Sequence, residues 1–128
     1  MKFKYAILYV EDVEFTLEFY EKAFGLSRCL LHESGDYGEL DTGVTILAFA
    51  SRSLTEKLGK SPSNASSDAP TFEIAFETDD VAGALQKAIE AGAKLSQEVR
   101  YQSWGQETAY VSDPNGFLIE LCSPVFKT

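Results

Sequence analysis

Two stretches of the chain carry the same pattern. Residues 5–13 read YAILYVEDV and residues 73–81 read EIAFETDDV, and the two align without a gap. In both, a short apolar run with strand-like character leads into an acidic residue and a valine, which indicates a strand followed directly by a helix. A strand-to-helix junction that occurs twice predicts an internal repeat, with two tandem copies of one folding unit.

The apolar spacing extends each copy to the same order of elements. Apolar residues three and four positions apart predict helices over 13–24 and 80–91, with Asp12 and Gly25 at the N-cap and C-terminal stop of the first. Strands are expected over 3–10, 26–33, 37–42 and 44–51 in the first copy, and over 71–78, 94–103, 107–112 and 117–123 in the second. The predicted fold class is α+β, with two β-α-β-β-β modules whose curved mixed sheets surround a cleft.

The chain length fits one domain. At 128 residues, we expect a single domain over 1–128, since independently folding units cluster near roughly 100 to 150 residues. The segment 59–70 reads GKSPSNASSDAP and is rich in the residues of loops. It is predicted to link module one, at about 1–58, to module two, at about 71–124.

Composition and charge exclude several function classes. Apolar residues make up 45% of the chain, but no apolar run approaches the roughly 20 residues of a membrane span. The net charge of −9 opposes contacts with phosphate backbones, so nucleic acid and membrane surfaces are not expected partners. The N-terminal residues lack the apolar core of a secretory signal, which predicts a cytoplasmic protein. Cys29 and Cys122 are accordingly expected to be reduced, buried thiols.

A second motif lies near the end of the chain. Residues 110–121 read YVSDPNGFLIEL, and residues 113–116 have the chemistry of a tight turn that joins two antiparallel strands. This segment, together with residues 10–13 and 19–26, resembles the vicinal oxygen chelate superfamily of glyoxalases, bleomycin-resistance proteins and extradiol dioxygenases. The resemblance covers nearly the whole chain, and it implies a domain that holds a small molecule.

The resemblance also implies four metal-ligand positions, on the first and last strands of the two modules. They fall on Tyr5, Leu47, Glu73 and Glu120, although the alignment at Leu47 can slip by one residue. Leucine has no lone pair and neutral tyrosine is a poor ligand, so we expect no transition metal and no other cofactor. The two carboxylates leave two alternatives open, a hard divalent ion held with several waters or an acid–base pair. His32 matches none of these positions, and we interpret it as structural.

Trp104 is the only tryptophan in the chain. A Trp-Gly pair ahead of the Asp-Pro-x-Gly turn is similar to what bleomycin-resistance proteins carry, where aromatic residues stack on a drug and an acidic cleft receives its positive charges. Trp104 is therefore a candidate ligand-binding residue, worth about 0.5 to 1.5 kcal/mol of stacking beyond its buried area. The alternative is that Trp104 packs against the neighbouring module or a partner chain.

Two functional hypotheses follow. The first is a binding protein of the bleomycin-resistance type, which sequesters a small cationic or aromatic molecule without a metal and forms a homodimer; Tyr5, Leu47, Glu73, Trp104 and Glu120 would line its ligand site. The second is a glyoxalase-like lyase, isomerase or dioxygenase-type enzyme, which uses a divalent metal or the Glu73 and Glu120 pair directly. The incomplete set of metal ligands favours the first hypothesis.

Overall fold

A computed structural model describes residues 1–126 of the chain. The chain divides into two compact units, unit 1 over Met1–Asn64 and unit 2 from Ala65 onward. Unit 1 contains β1 (Tyr5–Val10), α1 (Val13–Phe24), β2 (Ser27–Leu31), β3 (Tyr37–Asp41), β4 (Ile46–Ser51) and the short α2 (Arg52–Lys57). Unit 2 contains β5 (Glu73–Glu77), α3 (Val81–Glu90), β6 (Lys94–Gln102), β7 (Gln106–Ser112) and β8 (Leu118–Cys122).

Each unit is built on a four-stranded mixed sheet. The strand orders are β1-β4-β3-β2 and β5-β8-β7-β6, so the two sheets have the same topology. The first and last strands of each unit pair in parallel, and the remaining neighbours are antiparallel. The predicted α+β class and the predicted internal repeat are therefore confirmed.

Helix α1 covers one face of the unit 1 sheet. Its N-terminus is capped by Asp12, whose carboxylate accepts a hydrogen bond from the Phe15 amide at 3.0 Å, and Gly25 ends it in the left-handed conformation with φ 69°. Tyr20 is fully buried, and its ring centroid lies 4.9 Å from that of Phe49 on β4. The helix and the sheet thus share one aromatic core.

The opposite face of this sheet is free of the helix. Side chains alternate between the two faces along a strand, and Leu8, Val10 and Leu40 are buried on the helix side. Gly38 belongs to the helix side as well, because a Cβ there would lie 2.6 Å from Leu17 Cδ1. The open face of unit 1, defined by the intervening positions of β1 and β3, consists of Tyr5, Ile7, Tyr9, Tyr37 and Glu39.

Unit 2 is arranged in the same way. Helix α3 packs on β6, β7 and β8, and four fully or almost fully buried residues of β7 and β8 belong to one face of the sheet, namely Ala109, Val111, Ile119 and Leu121. Along β5, β7 and β8, every second residue belongs to the opposite face of the sheet. These residues define the open face of unit 2, which includes Glu73, Glu77, Tyr110, Glu120 and Cys122.

One expectation about the cysteines is wrong. Both thiols are free, but only Cys122 is buried, whereas Cys29 is exposed. Cys29 lies on β2, which is an edge strand of its sheet and therefore lacks a neighbour that would cover it. Within residues 1–126, no helix is long and apolar enough to cross a membrane.

Candidate functional site

Two carboxylates and a tyrosine meet on the open face of unit 2. Tyr110 of β7 lies directly opposite Glu120 of β8, and its hydroxyl donates a hydrogen bond to Glu120 Oε2. On the other side of β8, Ala75 of β5 pairs with Glu120, which places Glu73 two residues away on the same face. The first and last strands of the unit therefore bring Glu73 and Glu120 together.

Partial burial shifts the pKa values of this group. The pKa of Glu73 is raised, first by desolvation and then by the hydrogen bond and the negative charge of Glu120, while a hydrogen bond from Tyr110 acts in the opposite direction. The pKa of Tyr110 is also raised, by burial first and then by Glu120. Tyr110 is therefore a neutral donor that orients Glu120, and Glu73 holds its proton to a higher pH than an isolated glutamate.

Cys122 lies at the end of β8, two residues beyond Glu120. Its pKa is raised, mainly by burial and further by the charges of Glu120, Glu77 and Glu73 and by a hydrogen bond with Glu120. A thiol with a raised pKa stays protonated at neutral pH, whereas nucleophiles and metal ligands are thiolates. Cys122 is thus a poor nucleophile in this environment.

The unit 1 positions carry different chemistry. Tyr5 begins β1 on the open face and is 46% exposed, whereas Leu47 is only 6% exposed and belongs to the helix side of β4. Tyr5 pairs with Ile46 as Glu73 pairs with Leu118, so the residue equivalent to Glu120 is Ala48. The sequence alignment allowed a shift of one residue at Leu47, and the strand pairing shifts the equivalent position to Ala48. The methyl group of Ala48 has no atom that can bind a metal.

Trp104 lies apart from the carboxylates. It is 59% exposed in the turn between β6 and β7, where its indole N–H donates to Gln106 Oε1 at 2.8 Å. Gln106 and Tyr110 are four residues apart on β7, a separation of about 13 Å. The structure does not bring Trp104 to Glu73 and Glu120. His32 lies at the β2–β3 turn, where its Nδ1 is hydrogen-bonded to Ser34 at 2.8 Å.

A family model described as a glyoxalase-like domain matches residues 3–126. The chain belongs to this glyoxalase-like family. It is accordingly a member of the vicinal oxygen chelate superfamily, which confirms the resemblance of residues 110–121.

Two solved structures and one sequence relative match this chain over nearly their full length. A glyoxalase/bleomycin resistance protein/dioxygenase family enzyme from Burkholderia phytofirmans superimposes with a TM-score of 0.84 at 21% identity, covering 98% of this chain and 100% of that one. A protein of unknown function from Agrobacterium tumefaciens gives a TM-score of 0.77 at 28% identity, covering 97% and 94%. The uncharacterized protein YraH of Bacillus subtilis is 27% identical over 124 residues, which are 94% of this chain and 97% of that one.

The residues of this glyoxalase-like chain do not fit the metal of the superfamily. Across residues 1–126, no three His, Cys, Asp or Glu side chains are grouped so that they could hold a metal ion. The inherited positions supply two carboxylates and no imidazole, and Glu120 Oε2 already accepts the hydrogen bond of Tyr110. A tight transition-metal site needs about four such ligands. This donor set is poor for zinc, nickel or iron.

Proposed function

We propose that this glyoxalase-like protein binds a small organic cation without a transition metal, and that it sequesters the compound as drug-binding members of the superfamily do. The observation that carries the proposal is the Glu73 and Glu120 pair on the open face of unit 2, with Tyr110 hydrogen-bonded to Glu120. This arrangement leaves negative charge concentrated at one point of an already acidic protein.

A bound cation offsets the unfavourable free energy of ionising both Glu73 and Glu120. The raised pKa of Glu73 reflects its desolvation and the nearby Glu120, so full ionisation of the pair is unfavourable. An ammonium group beside both carboxylates stabilises the ionised form of Glu73. Binding is therefore expected to release a proton below the raised pKa and to strengthen as the pH rises through it. The net charge of −9 also attracts cations at long range.

The test compares two aromatic compounds of similar size and opposite charge. In calorimetric titrations we expect 2-phenylethylammonium to bind and 3-phenylpropanoate to show no binding. Glu120→Gln should weaken cation binding about tenfold, because a hydrogen bond to a charged group contributes roughly 1.5 to 3 kcal/mol. The loss should be greater at low salt, where charges are less screened.

Glu98→Gln is the matched control, since it removes one exposed carboxylate of unit 2. Equal losses in Glu98→Gln and Glu120→Gln, or equal binding of the anion, would contradict the proposal.

We assign Trp104 a stacking role only for ligands long enough to span about 13 Å. Trp104→Ala should therefore leave the affinity for 2-phenylethylammonium unchanged.

The proposal also predicts the metal content. Protein dialysed against a chelator is expected to contain far less than one zinc, nickel or iron ion per chain, because Ala48 and Tyr5 stand where ligands would be needed. Elemental analysis by mass spectrometry measures this directly. One tightly held ion per chain would favour a metal-dependent enzyme instead.

One observation favours an enzyme as the second candidate. Glu73 with its raised pKa can serve as a general acid or base beside Glu120, as a lyase or isomerase without a metal would require. NMR can follow the exchange of carbon-bound hydrogen for deuterium beside the carbonyl of small test compounds. Exchange that Glu73→Gln abolishes would favour catalysis, whereas binding without exchange supports sequestration. Homodimer formation and a cytoplasmic location remain predictions.

A further inference from the structure

Strand β6 is the longest strand of the described chain and lies at the edge of its sheet. It covers nine residues, Lys94–Gln102, and pairs with β7 on one side only. Three of its large side chains, Leu95, Val99 and Tyr101, are exposed to solvent. An edge strand of this length with exposed apolar side chains is a template for pairing with another strand.

The middle of β6 has pairing capacity that its own sheet does not use. A groove of about 400 Å³ runs beside the strand and is lined by residues 95–100. The register with β7 shifts between Gln97 and Arg100, so Glu98 and Val99 have no partner residue on β7. A shift of this kind leaves the extra residues unpaired in the ladder. The side-chain oxygen of Gln97 is also buried, and it accepts no hydrogen bond from any described residue.

The charges on β6 decide which partner strand fits. Charged side chains normally protect an edge strand from pairing, and Glu98 and Arg100 are both exposed. When two copies of β6 pair antiparallel about Val99, Glu98 of each copy lies opposite Arg100 of the other. Opposite charges in directly opposite positions are favourable, whereas like charges are unfavourable. A pairing centred on Glu98 or on Arg100 would instead set identical charges against each other.

The same register uses most of the strand. It pairs residues 96–102 of the two copies with each other, a length of about 23 Å. Strand β6 carries two basic side chains and one acidic side chain, in a chain whose net charge is −9. Two copies therefore repel each other less at this strand than their total charge would dictate. A second copy of the chain is thus the partner that fits.

We propose that β6 is a homodimer interface, in which two copies of the strand pair antiparallel about Val99 and join the two unit 2 sheets into one sheet of eight strands. Glu98 and Arg100 of the two copies form two symmetric ion pairs beside the dimer axis. The inference does not rest on the proposed function, because the carboxylates Glu73 and Glu120 lie on β5 and β8. It gives the predicted homodimer a defined interface.

Sedimentation velocity over a range of protein concentrations measures the dissociation constant of the dimer. Glu98→Arg and Arg100→Glu should each raise this constant at least about tenfold, because each replaces two attractive pairs by two repulsive pairs. The double variant restores opposite charges, and its constant should return to within about threefold of the original. Val99→Lys should also dissociate the dimer, since it sets two ammonium groups against each other on the axis. Val44→Lys is the matched control, because Val44 is 79% exposed in unit 1.

Cysteine cross-linking tests the register. In a Cys29→Ser background with oxidised glutathione, Val99→Cys should form a disulfide between two copies, because residue 99 lies opposite itself. Ser96→Cys is the matched control, since the two copies of residue 96 would lie about 20 Å apart along the paired strands. A disulfide needs Cα atoms within about 7 Å, so this variant should not cross-link.

Several outcomes would overturn the inference. They are a protein that is monomeric at every concentration, single charge reversals that leave the dissociation constant unchanged, and a double variant that dissociates as readily as the single ones. Cross-linking of Ser96→Cys as efficient as that of Val99→Cys would contradict the register. Circular dichroism of each variant verifies that it folds, so a loss of dimer reports on the interface itself.

Discussion

Phe49→Ala is expected to lower the free energy of unfolding by about 3 to 5 kcal/mol. Phe49 is fully buried on β4, and its ring lies 4.9 Å from that of Tyr20. Truncation to alanine removes the apolar contacts of the ring and leaves a cavity that the surrounding aromatic residues fill only in part. Because Phe49 lies between Ala48 and Ala50 on β4, the same variant should also disturb the open face of unit 1.

Chemical denaturation monitored by circular dichroism measures the effect. Phe15→Ala is the matched control, since Phe15 lies on α1 but is 54% exposed. Its removal should change the stability by no more than about 0.5 kcal/mol. Comparable losses in the two variants would mean that the core of unit 1 does not lie between α1 and β4 as described.

The helix was predictable because its signals are local. The prediction of a helix over 13–24 coincides with α1, since Asp12 and Gly25 fix its ends through their own backbone geometry. Strand ends are set by pairing instead. The strand expected over 3–10 begins at Tyr5, where its ladder to Ile46 begins. Residues beyond the end of a ladder can have strand-like sequences and still lie outside the sheet.

The position equivalent to Glu120 was not predictable for a physical reason. Residues 46–50 read ILAFA, so both faces of β4 are apolar and the alternation that would reveal its orientation is absent. A shift of one residue exchanges the two faces of a strand. The structure resolves this by placing Leu47 and Phe49 toward α1 and Ala48 on the open face.

Tyr110 was missed because its role depends on pairing across strands. The signal for Tyr110 was present, since a hairpin centred on residue 115 pairs residues 110 and 120. The same reasoning, applied to the β6–β7 hairpin, would have separated Trp104 from the carboxylates.

Asp113→Ala is expected to lower the free energy of unfolding by about 2 to 4 kcal/mol and to weaken cation binding at Glu120. Asp113 is 3% exposed, and its Oδ1 accepts hydrogen bonds from the amides of Asn115 at 2.9 Å and Phe117 at 2.8 Å. A hydrogen bond to a charged group contributes roughly 1.5 to 3 kcal/mol, and the substitution removes the Asp113 oxygen to which both amides donate.

The effect on binding follows from register, because the turn at 113–116 aligns β7 with β8 and so places Tyr110 opposite Glu120. Asp113→Asn keeps an acceptor at Oδ1 and is expected to cost about half as much or less. Denaturation curves and titrations with 2-phenylethylammonium, measured on both variants, separate the two effects. If Asp113→Ala lost stability but bound the cation as tightly as the unsubstituted protein, Tyr110 and Glu120 would keep their alignment without this turn, and the β7–β8 ladder alone would position the carboxylate.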